Sequence, residues 1–346
     1  MKIFGREITT KKQPFIIAEI SANHNNSMIR TLKLIKEAKK VGANAIKLQS
    51  YVADSMTLNS NKKFFLINDK KSLWYKKNLY DLYKKASLPY SWYKEIFLEA
   101  KKNDIICFST PFDEESVDFL NKFNVPAFKI ASFENNHIPL LEKVIKKKKP
   151  LIISLGATTK REINYLHSFL IKKKFYNFAF LQCTSSYPAK IEDSNIKTIL
   201  DLRKRYKVEI GLSDHTPGIG AAVASISYGA TIIEKHFTLD KNAGGFDDSF
   251  SMDPDEFRLL VNETKNAWLS LGKISYSLSK DEKRHRMFKR SIFISQDIKK
   301  NQKFTKDNIK IVRPSNGLDP IYFKDVLGKK SKKNLKFGTP LEKKHF

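Results

Sequence analysis

The strongest constraint on the fold of this chain is an alternation. From Pro14 to Gly272, short apolar runs of β character alternate with helical stretches, eight of each. Strands are expected at Phe15–Glu19, Ala45–Gln49, Ile105–Thr110, Ala127–Ala131, Leu151–Ser154, Phe178–Gln182, Val208–Leu212 and Thr231–Lys235. Helices are expected at Met28–Val41, Ser91–Lys102, Glu114–Phe123, Ile138–Lys146, Lys160–Leu170, Asn195–Arg205, Ala221–Tyr228 and Asp255–Leu271. In the first, Met28, Leu32, Ile35 and Ala38 recur at helical spacing and Gly42 stops the run. The last opens with Pro254 at its first turn, and Asp253 with Glu256 has the spacing of a capping box. Its expected apolar face is Phe257, Leu260, Val261, Thr264, Trp268 and Leu271. Strand–helix repetition of this kind predicts the α/β class and a (β/α)8 TIM barrel. A doubly wound open sheet is the alternative, but no G-x-G-x-x-G follows the first strand to support it.

Two segments break the alternation. Residues 51–89 are long for a loop joining a strand to its helix, and they contain Trp74, Tyr75, Tyr80 and Tyr83. At a barrel mouth this insertion is a candidate substrate wall; the alternative is a satellite apolar cluster. Residues 275–289 are polar and read as a linker. From 290 to 346 the pattern becomes short β-like runs, Ser291–Ile294 and Ile309–Val312, with turns at Asn316-Gly317 and Gly338. The expected organisation is a barrel over 1–274, a linker over 275–289 and a small β-rich domain over 290–346.

Charge and cysteine usage bound the function classes. Sixty-four Lys and Arg against 36 Asp and Glu give a net charge of +28, yet only ten of the basic residues are Arg and the Lys residues are spread along the chain. Nucleic-acid readers lean on Arg for bidentate contacts and concentrate charge on one face. The excess reads as compositional bias on a solvated surface, with steering of an anionic substrate as its functional counterpart. No specific nucleic-acid partner is expected; a nucleic-acid-binding protein is the competing class, and it would bind with a steep salt dependence. The longest uncharged stretch, Thr216 to Ile233, is broken by Pro217, Gly218, Gly220 and Gly229, so no membrane span is expected. The first twenty residues show no secretory signal, and two cysteines, Cys107 and Cys183, are too few for a disulfide scaffold or a Cys-based zinc site. The expected compartment is the cytoplasm.

In a barrel the strand C-termini and the loops after them form the active face. Here every strand ends in polar or ionisable residues: Glu19; Lys47 and Gln49; Ser109 and Thr110; Lys129, then Ser132 and Glu134; Ser154; Gln182, then Thr184, Ser185 and Ser186; Ser213, Asp214 and His215; Glu234 and His236. Lysines at strand ends are costly to bury without an anion. Lys47 and Lys129, with the hydroxyls of Ser132, Ser154, Ser185 and Ser213, make a cradle for phosphate or carboxylate. His215 and His236 end adjacent strands, and two neutral imidazoles near a carboxylate can hold a divalent metal; a strand-end His is also an ordinary polar core residue. Asp247 and Glu234 are further carboxylates at this mouth, able to support a metal through water or to bind a sugar hydroxyl, while Asp248 reads as solvated. Glu19, a carboxylate in an apolar strand, is the best-placed general acid or base, its competing role being to orient a lysine.

The stretches AEISANHN (18–25), IKLQ (46–49), FKIASFE (128–134), CTSSYP (183–188), GLSDHT (211–216) and EKHFTLD (234–240) resemble the sialic acid synthase family, the phosphoenolpyruvate-dependent nonulosonic acid synthases. RSIFISQDIKKNQKFTKDNIKIVRPSNG (290–317) resembles the antifreeze-like SAF domain that these synthases carry. Residues 79–86, 110–134 and 244–257 look most like the branch that makes pseudaminic acid. The resemblance implies a TIM barrel that condenses phosphoenolpyruvate with an N-acylated aldose, here 2,4-diacetamido-2,4,6-trideoxy-L-altrose. The alternatives are N-acetylmannosamine and the diacetamido precursor of legionaminic acid. It also implies residue roles. Lys47, Thr110, Lys129, Ser132, Ser154, Ser185 and Ser213 would hold phosphoenolpyruvate, and Gln49, Tyr187 and Asp247 would face the sugar. His215 and His236 would carry a manganese or magnesium ion, and Glu19 would act on the water or the tetrahedral intermediate. Arg313 would reach the substrate from the SAF domain across a domain-swapped homodimer, and the product would enter a surface or flagellar glycan. The chain departs from the family at Phe246, where Pro is expected, at Leu155, where Thr is expected, and at Ser185, where some relatives are expected to use Asn.

Overall fold

The structure is a computed structural model describing residues 1–70 and 74–346. Residues 71–73, inside the 51–89 insertion, lie outside the described set. The chain divides into two compact units, Met1–Gly272 and Lys273–Phe346.

The first unit opens with a hairpin, β1 (Lys2–Ile3) and β2 (Arg6–Glu7), turning through Phe4 and Gly5 at φ 46° and 77°. The alternation pattern did not anticipate it, because strands of two residues carry no periodicity. Its Ile3 and the following Ile8 are buried in the barrel's apolar core. Eight strands then follow: β3 (Phe15–Glu19), β4 (Ala45–Ser50), β5 (Ile106–Pro111), β6 (Phe128–Ile130), β7 (Leu151–Ser154), β8 (Phe178–Cys183), β9 (Glu209–Asp214) and β10 (Ile232–His236). All pair in parallel, and β10 pairs back to β3, closing the barrel. The (β/α)8 expectation holds and the open sheet does not. Strand bounds differ from expectation mainly at the C-terminal ends, where β9 and β10 run on to include Asp214 and His236.

The register explains why the site lies at one end. Alternate side chains of each strand point inward. Ile17 precedes Glu19, Ala45 precedes Lys47, Phe108 precedes Thr110, Ile152 precedes Ser154, and Ile232 precedes Glu234 and His236. The inward series is thus apolar in the lower layer and polar in the last one. The pairings Glu19↔Lys47, Gln49↔Thr110, Ser213↔Glu234 and His236↔Glu19 bring the polar groups side by side.

The helices form where caps and apolar stripes coincide. In Met28–Lys40, Ser27 caps the start and Thr31, Leu34, Ile35 and Ala38 are buried. Thr159 with Glu162 and Asp253 with Glu256 form full capping boxes on Lys160–Lys172 and Pro254–Leu271. The last helix outruns its core contact: Phe257, Leu260 and Thr264 are buried, whereas Leu271, expected on the apolar face, is 49% exposed. The insertion after β4 holds the helix Leu79–Ala86, capped by Asn78. In the second unit β11 (Ser291–Ile294) and β12 (Ile309–Val312) pair antiparallel over a core of Ile292, Ile294, Ile298, Phe304, Ile309, Val326, Leu335 and Leu341. The polar segment 275–289 contains a short capped helix, Lys280–His285. Among the described residues, no helix is long and apolar enough to cross a membrane.

Gly211 shows how tightly the lower layer is packed. A Cβ there would lie 2.4 Å from the Ile232 carbonyl oxygen and 2.6 Å from Leu181 Cδ2. Gly211→Ala is expected to destabilise the barrel by about 1–3 kcal/mol, because a backbone oxygen cannot swing aside. A lowered midpoint of thermal unfolding checks this, and an unchanged midpoint contradicts it.

Candidate active site

Four charges sit together at the C-terminal end of the barrel. Lys47 Nζ lies 2.6 Å from Glu19 Oε2 and 3.6 Å from Glu234 Oε1. Lys129 Nζ lies 3.2 Å from the same Glu234 oxygen. All four side chains are almost wholly buried. Lys47 also donates to Thr110 Oγ1 at 3.2 Å, and Ser213 Oγ donates to Glu234 Oε1 at 3.1 Å. Gln49 Nε2 donates to Glu19 Oε1 at 3.1 Å and to Ser21 Oγ at 3.0 Å.

The two carboxylates are driven in opposite directions. Burial pushes the Glu19 carboxyl up, against the pull of Lys47. Burial also works on Glu234, but Lys129 and Lys47 outweigh it and hold that group below the usual carboxylate range. Burial pulls Lys129 down, with Glu234 opposing; for Lys47 the two carboxylates outweigh burial and the net shift is upward. One carboxyl poised to exchange a proton beside one held ionised is the pattern of an acid/base site.

On one side of this cluster lie the histidines. The His215 and His236 rings are 5.4 Å apart, and Tyr187 packs on His215 at 4.3 Å. His215 Nδ1 is bonded to the Thr184 carbonyl at 2.9 Å. His236 Nδ1 is buried with no hydrogen-bond partner, and burial together with His215 and the lysines holds this imidazole well below its ordinary value. Among the described residues, no three His, Cys, Asp or Glu side chains converge as a metal site. The two imidazoles could therefore supply no more than two of a metal's ligands.

Small residues lie against His215, whose Nδ1 is 3.9 Å from Cys183 Sγ. Gly156 N donates to Ser132 Oγ at 3.0 Å, and Cys183 Sγ lies 3.5 Å from Ser132 Oγ and 3.8 Å from Ser185 Oγ. A Cβ on Gly156 would fall 2.0 Å from Ser185 Oγ and 2.7 Å from Ser132 Oγ, so any larger residue there must displace both hydroxyls. Ser154 Oγ and Glu234 Oε2 are buried without partners, as is Glu134 Oε2 beyond them. Unmet polar atoms gathered at one barrel mouth fit a polar ligand. Asp247 accepts from Ser21 Oγ and, at 3.2 Å, from Ala22 N. Arg313 is exposed in the second unit, next to β12.

The sequence reading located the lysines, the serines and the histidine pair. It treated Glu234 as an accessory to metal or sugar, whereas this residue joins both lysines. The signal was present: Glu234 has the inward parity of His236. Ser21 and Cys183 were passed over, and no spacing rule marks them.

Glu234→Gln would leave the two lysines with Glu19 alone. Removing one partner of a buried ion pair costs about 3–5 kcal/mol. The variant should unfold at a lower temperature, and inorganic phosphate should recover more of its midpoint than it adds to the wild type. Equal phosphate shifts in both proteins would show that the lysines do not face a ligand space.

Comparison with known proteins places this geometry. Residues 34–276 match the NeuB family, and residues 289–346 match the SAF domain. The chain is 46% identical over 337 residues to the pseudaminic acid synthase of Campylobacter jejuni subsp. jejuni serotype O:2, covering 97% of this chain and 98% of that protein. It is 36% identical over 333 residues to the N,N′-diacetyllegionaminic acid synthase of the same organism, covering 94% and 98%. Among solved structures, the N-acetylneuraminic acid synthetase of Leptospira borgpetersenii serovar Hardjo-bovis, in complex with citrate, superposes with a TM-score of 0.73 at 32% identity, covering 82% of this chain and 94% of that one. The chain belongs to the NeuB family and carries a SAF domain in its C-terminal unit.

Proposed function

We propose that this chain is a pseudaminic acid synthase, condensing phosphoenolpyruvate with 2,4-diacetamido-2,4,6-trideoxy-L-altrose to give pseudaminic acid and inorganic phosphate. The observation that carries the reading is its greater similarity, over nearly the whole length of both chains, to one of two synthases from a single organism. The second reading is the same reaction on the legionaminic acid precursor or on N-acetylmannosamine, favoured by the likeness to those relatives.

The reaction balances without a redox partner. A bond forms between C3 of phosphoenolpyruvate and the aldehyde carbon of the open-chain sugar. Water adds at C2, and the C2–O bond to phosphate breaks. One water proton ends on the new sugar hydroxyl and the other leaves with phosphate.

The chain's residues divide this work. Lys47 and Lys129 neutralise the phosphate and carboxylate of phosphoenolpyruvate, and Thr110, Ser132, Ser154, Ser185 and Ser213 supply hydroxyls around them. Glu234, held ionised, keeps the lysines charged between turnovers. Glu19, pushed towards protonation by burial, moves the proton of the adding water. Gln49, Tyr187 and Asp247 orient the sugar. The buried, unpartnered nitrogen of His236 and the free ring nitrogen of His215 fit a divalent cation. His215 and His236 would hold manganese or magnesium, which when bound supplies Lewis acidity towards the aldehyde oxygen. Arg313, exposed on the SAF domain, is assigned to the partner's barrel in a domain-swapped homodimer, and the reaction to the cytoplasm.

Phosphate release from phosphoenolpyruvate, measured with each of the three sugars, tests the assignment. Release is expected with the 6-deoxy-altrose sugar, to stop on chelation and to return with manganese. Preference for N-acetylmannosamine would sink the substrate choice, and release unaffected by chelation would sink the metal assignment. Gly156→Ala, which pushes a methyl into Ser132 and Ser185, should raise the KM for phosphoenolpyruvate roughly tenfold or more while the sugar KM moves little. An unchanged phosphoenolpyruvate KM would remove those two hydroxyls from the cradle.

A further inference from the structure

Asp247 and Asp248 are neighbours in sequence with opposite surroundings. Asp248 is fully buried and each of its oxygens has two partners. Oδ1 accepts from Arg30 Nη2 at 3.0 Å and from Thr238 Oγ1. Oδ2 accepts from Asn25 Nδ2 at 2.9 Å and from Gly245 N at 2.8 Å. The solvated role expected for Asp248 is thus overturned: four donors replace the water it would otherwise need.

These bonds tie two loops across one seam. Residues 20–26 follow β3, residues 237–253 follow β10, and β3 and β10 are adjacent in the barrel. Arg30 Nε donates to the Asn23 carbonyl at 2.7 Å, so the guanidinium spans Asn23, Thr238 and Asp248. Asn23 Nδ2 donates to Phe237 O at 2.9 Å and to Ser251 Oγ at 2.8 Å, and Ser251 Oγ donates to Asp247 O at 2.6 Å. The turn at Gly245 presses so close that a Cβ would lie 2.0 Å from Asn25 Oδ1 and 2.5 Å from Asp248 Oδ2. The same 20–26 loop holds the insertion: His24 Nε2 is 3.1 Å from Ala86 O, and Asn26 Nδ2 donates to Lys85 O at 2.8 Å. Lys77 of the insertion lies over the Phe246 ring at 5.3 Å.

We propose that Asp248 is a positioning residue for the sugar side of the site. By binding Arg30 and Asn25 it fixes the loop after β10 against the loop after β3, and so aims the adjacent Asp247 carboxylate and its partner Ser21 at the aldose. This inference rests on the reading that Asp247 faces the sugar, and not on which N-acylated aldose is used.

The test is a kinetic split. Asp248→Asn keeps the shape but sets an NH2 against two N–H donors, leaving buried donors unpaired. The aldose KM should rise roughly tenfold or more, while the phosphoenolpyruvate KM stays within about twofold. Asn25→Ala removes one donor to Oδ2 and should shift the aldose KM in the same direction by less; it decides the matter alone if Asp248→Asn fails to fold. A folded variant with an unchanged aldose KM, a loss confined to kcat, or an equal rise in both KM values overturns the proposal, because a merely structural role predicts no preference between substrates. The sugar used is whichever the wild type turns over. A wild type active on a different aldose therefore refutes the altrose assignment and leaves this test standing, whereas a wild type inactive on all three overturns both.

Discussion

The barrel mouth depends on one electrostatic arrangement: two lysines and two glutamates, all buried, in a chain of alternating sign from Glu19 through Lys47 and Glu234 to Lys129. Desolvating any one of these charges alone is prohibitive, and each is present only because its partners are. The pairing Glu19–Lys47 comes from strands adjacent in the barrel, so it is fixed by register. The pairing Lys129–Glu234 crosses the interior. That contact therefore requires a closed barrel, because β6 and β10 stand on opposite sides of it. Such a cluster is set before any ligand arrives, which spares the protein reorganisation during reaction. It also separates the two carboxyls, which have the same chemistry but different partners, into one that is kept ionised and one that can exchange a proton.

A second constraint follows from closure. A barrel has one seam where its last strand meets its first, and here the loops after β10 and β3 carry Asp247 on one side and Ser21 on the other. The seam is bound by hydrogen bonds to a buried carboxylate, where apolar contact alone would leave the loops free to slide. Charge-assisted bonds are directional, so they fix orientation as well as distance. The loop after β3 passes this order on to the insertion through His24 and Asn26.

The fold was largely legible because a parallel barrel writes itself as repetition. The strands are mostly apolar in their N-terminal halves, and the charged or polar residues in their C-terminal halves marked Glu19, Lys47, Lys129 and His236 as well as the strands. Caps were legible where side-chain chemistry demands them, as at Asp253 with Glu256. Two kinds of feature were not. The hairpin Lys2–Glu7 is too short for a period, and its burial comes from tertiary contact of Ile3. Two of the four partners of Asp248, Asn25 and Arg30, lie more than 200 residues away, and the nearby Thr238 and Gly245 do not by themselves distinguish a buried Asp from a solvated one. Leu271 failed in the opposite sense: the helical period continued after the core ended.

These two layers of the site differ in what they can discriminate. Side chains at strand ends are held by register, so Lys47, Lys129, Ser154 and Ser213 can change identity but hardly position. In the proposed reaction their chemistry answers to phosphoenolpyruvate, which each candidate aldose would share. Asp247, Tyr187, Phe246 and the insertion residues stand on loops, where a change of length or of a single contact moves a side chain relative to the fixed cradle. On the proposed assignment, discrimination between sugars that differ at one or two substituents therefore resides in the loops. The departure at Phe246 is then physically coherent. An aromatic ring stands where the resemblance leads to an expectation of proline, on the loop beside Asp247, and it gives Lys77 of the insertion a face to lie on. That contact joins the insertion to the loop that carries the proposed sugar ligand.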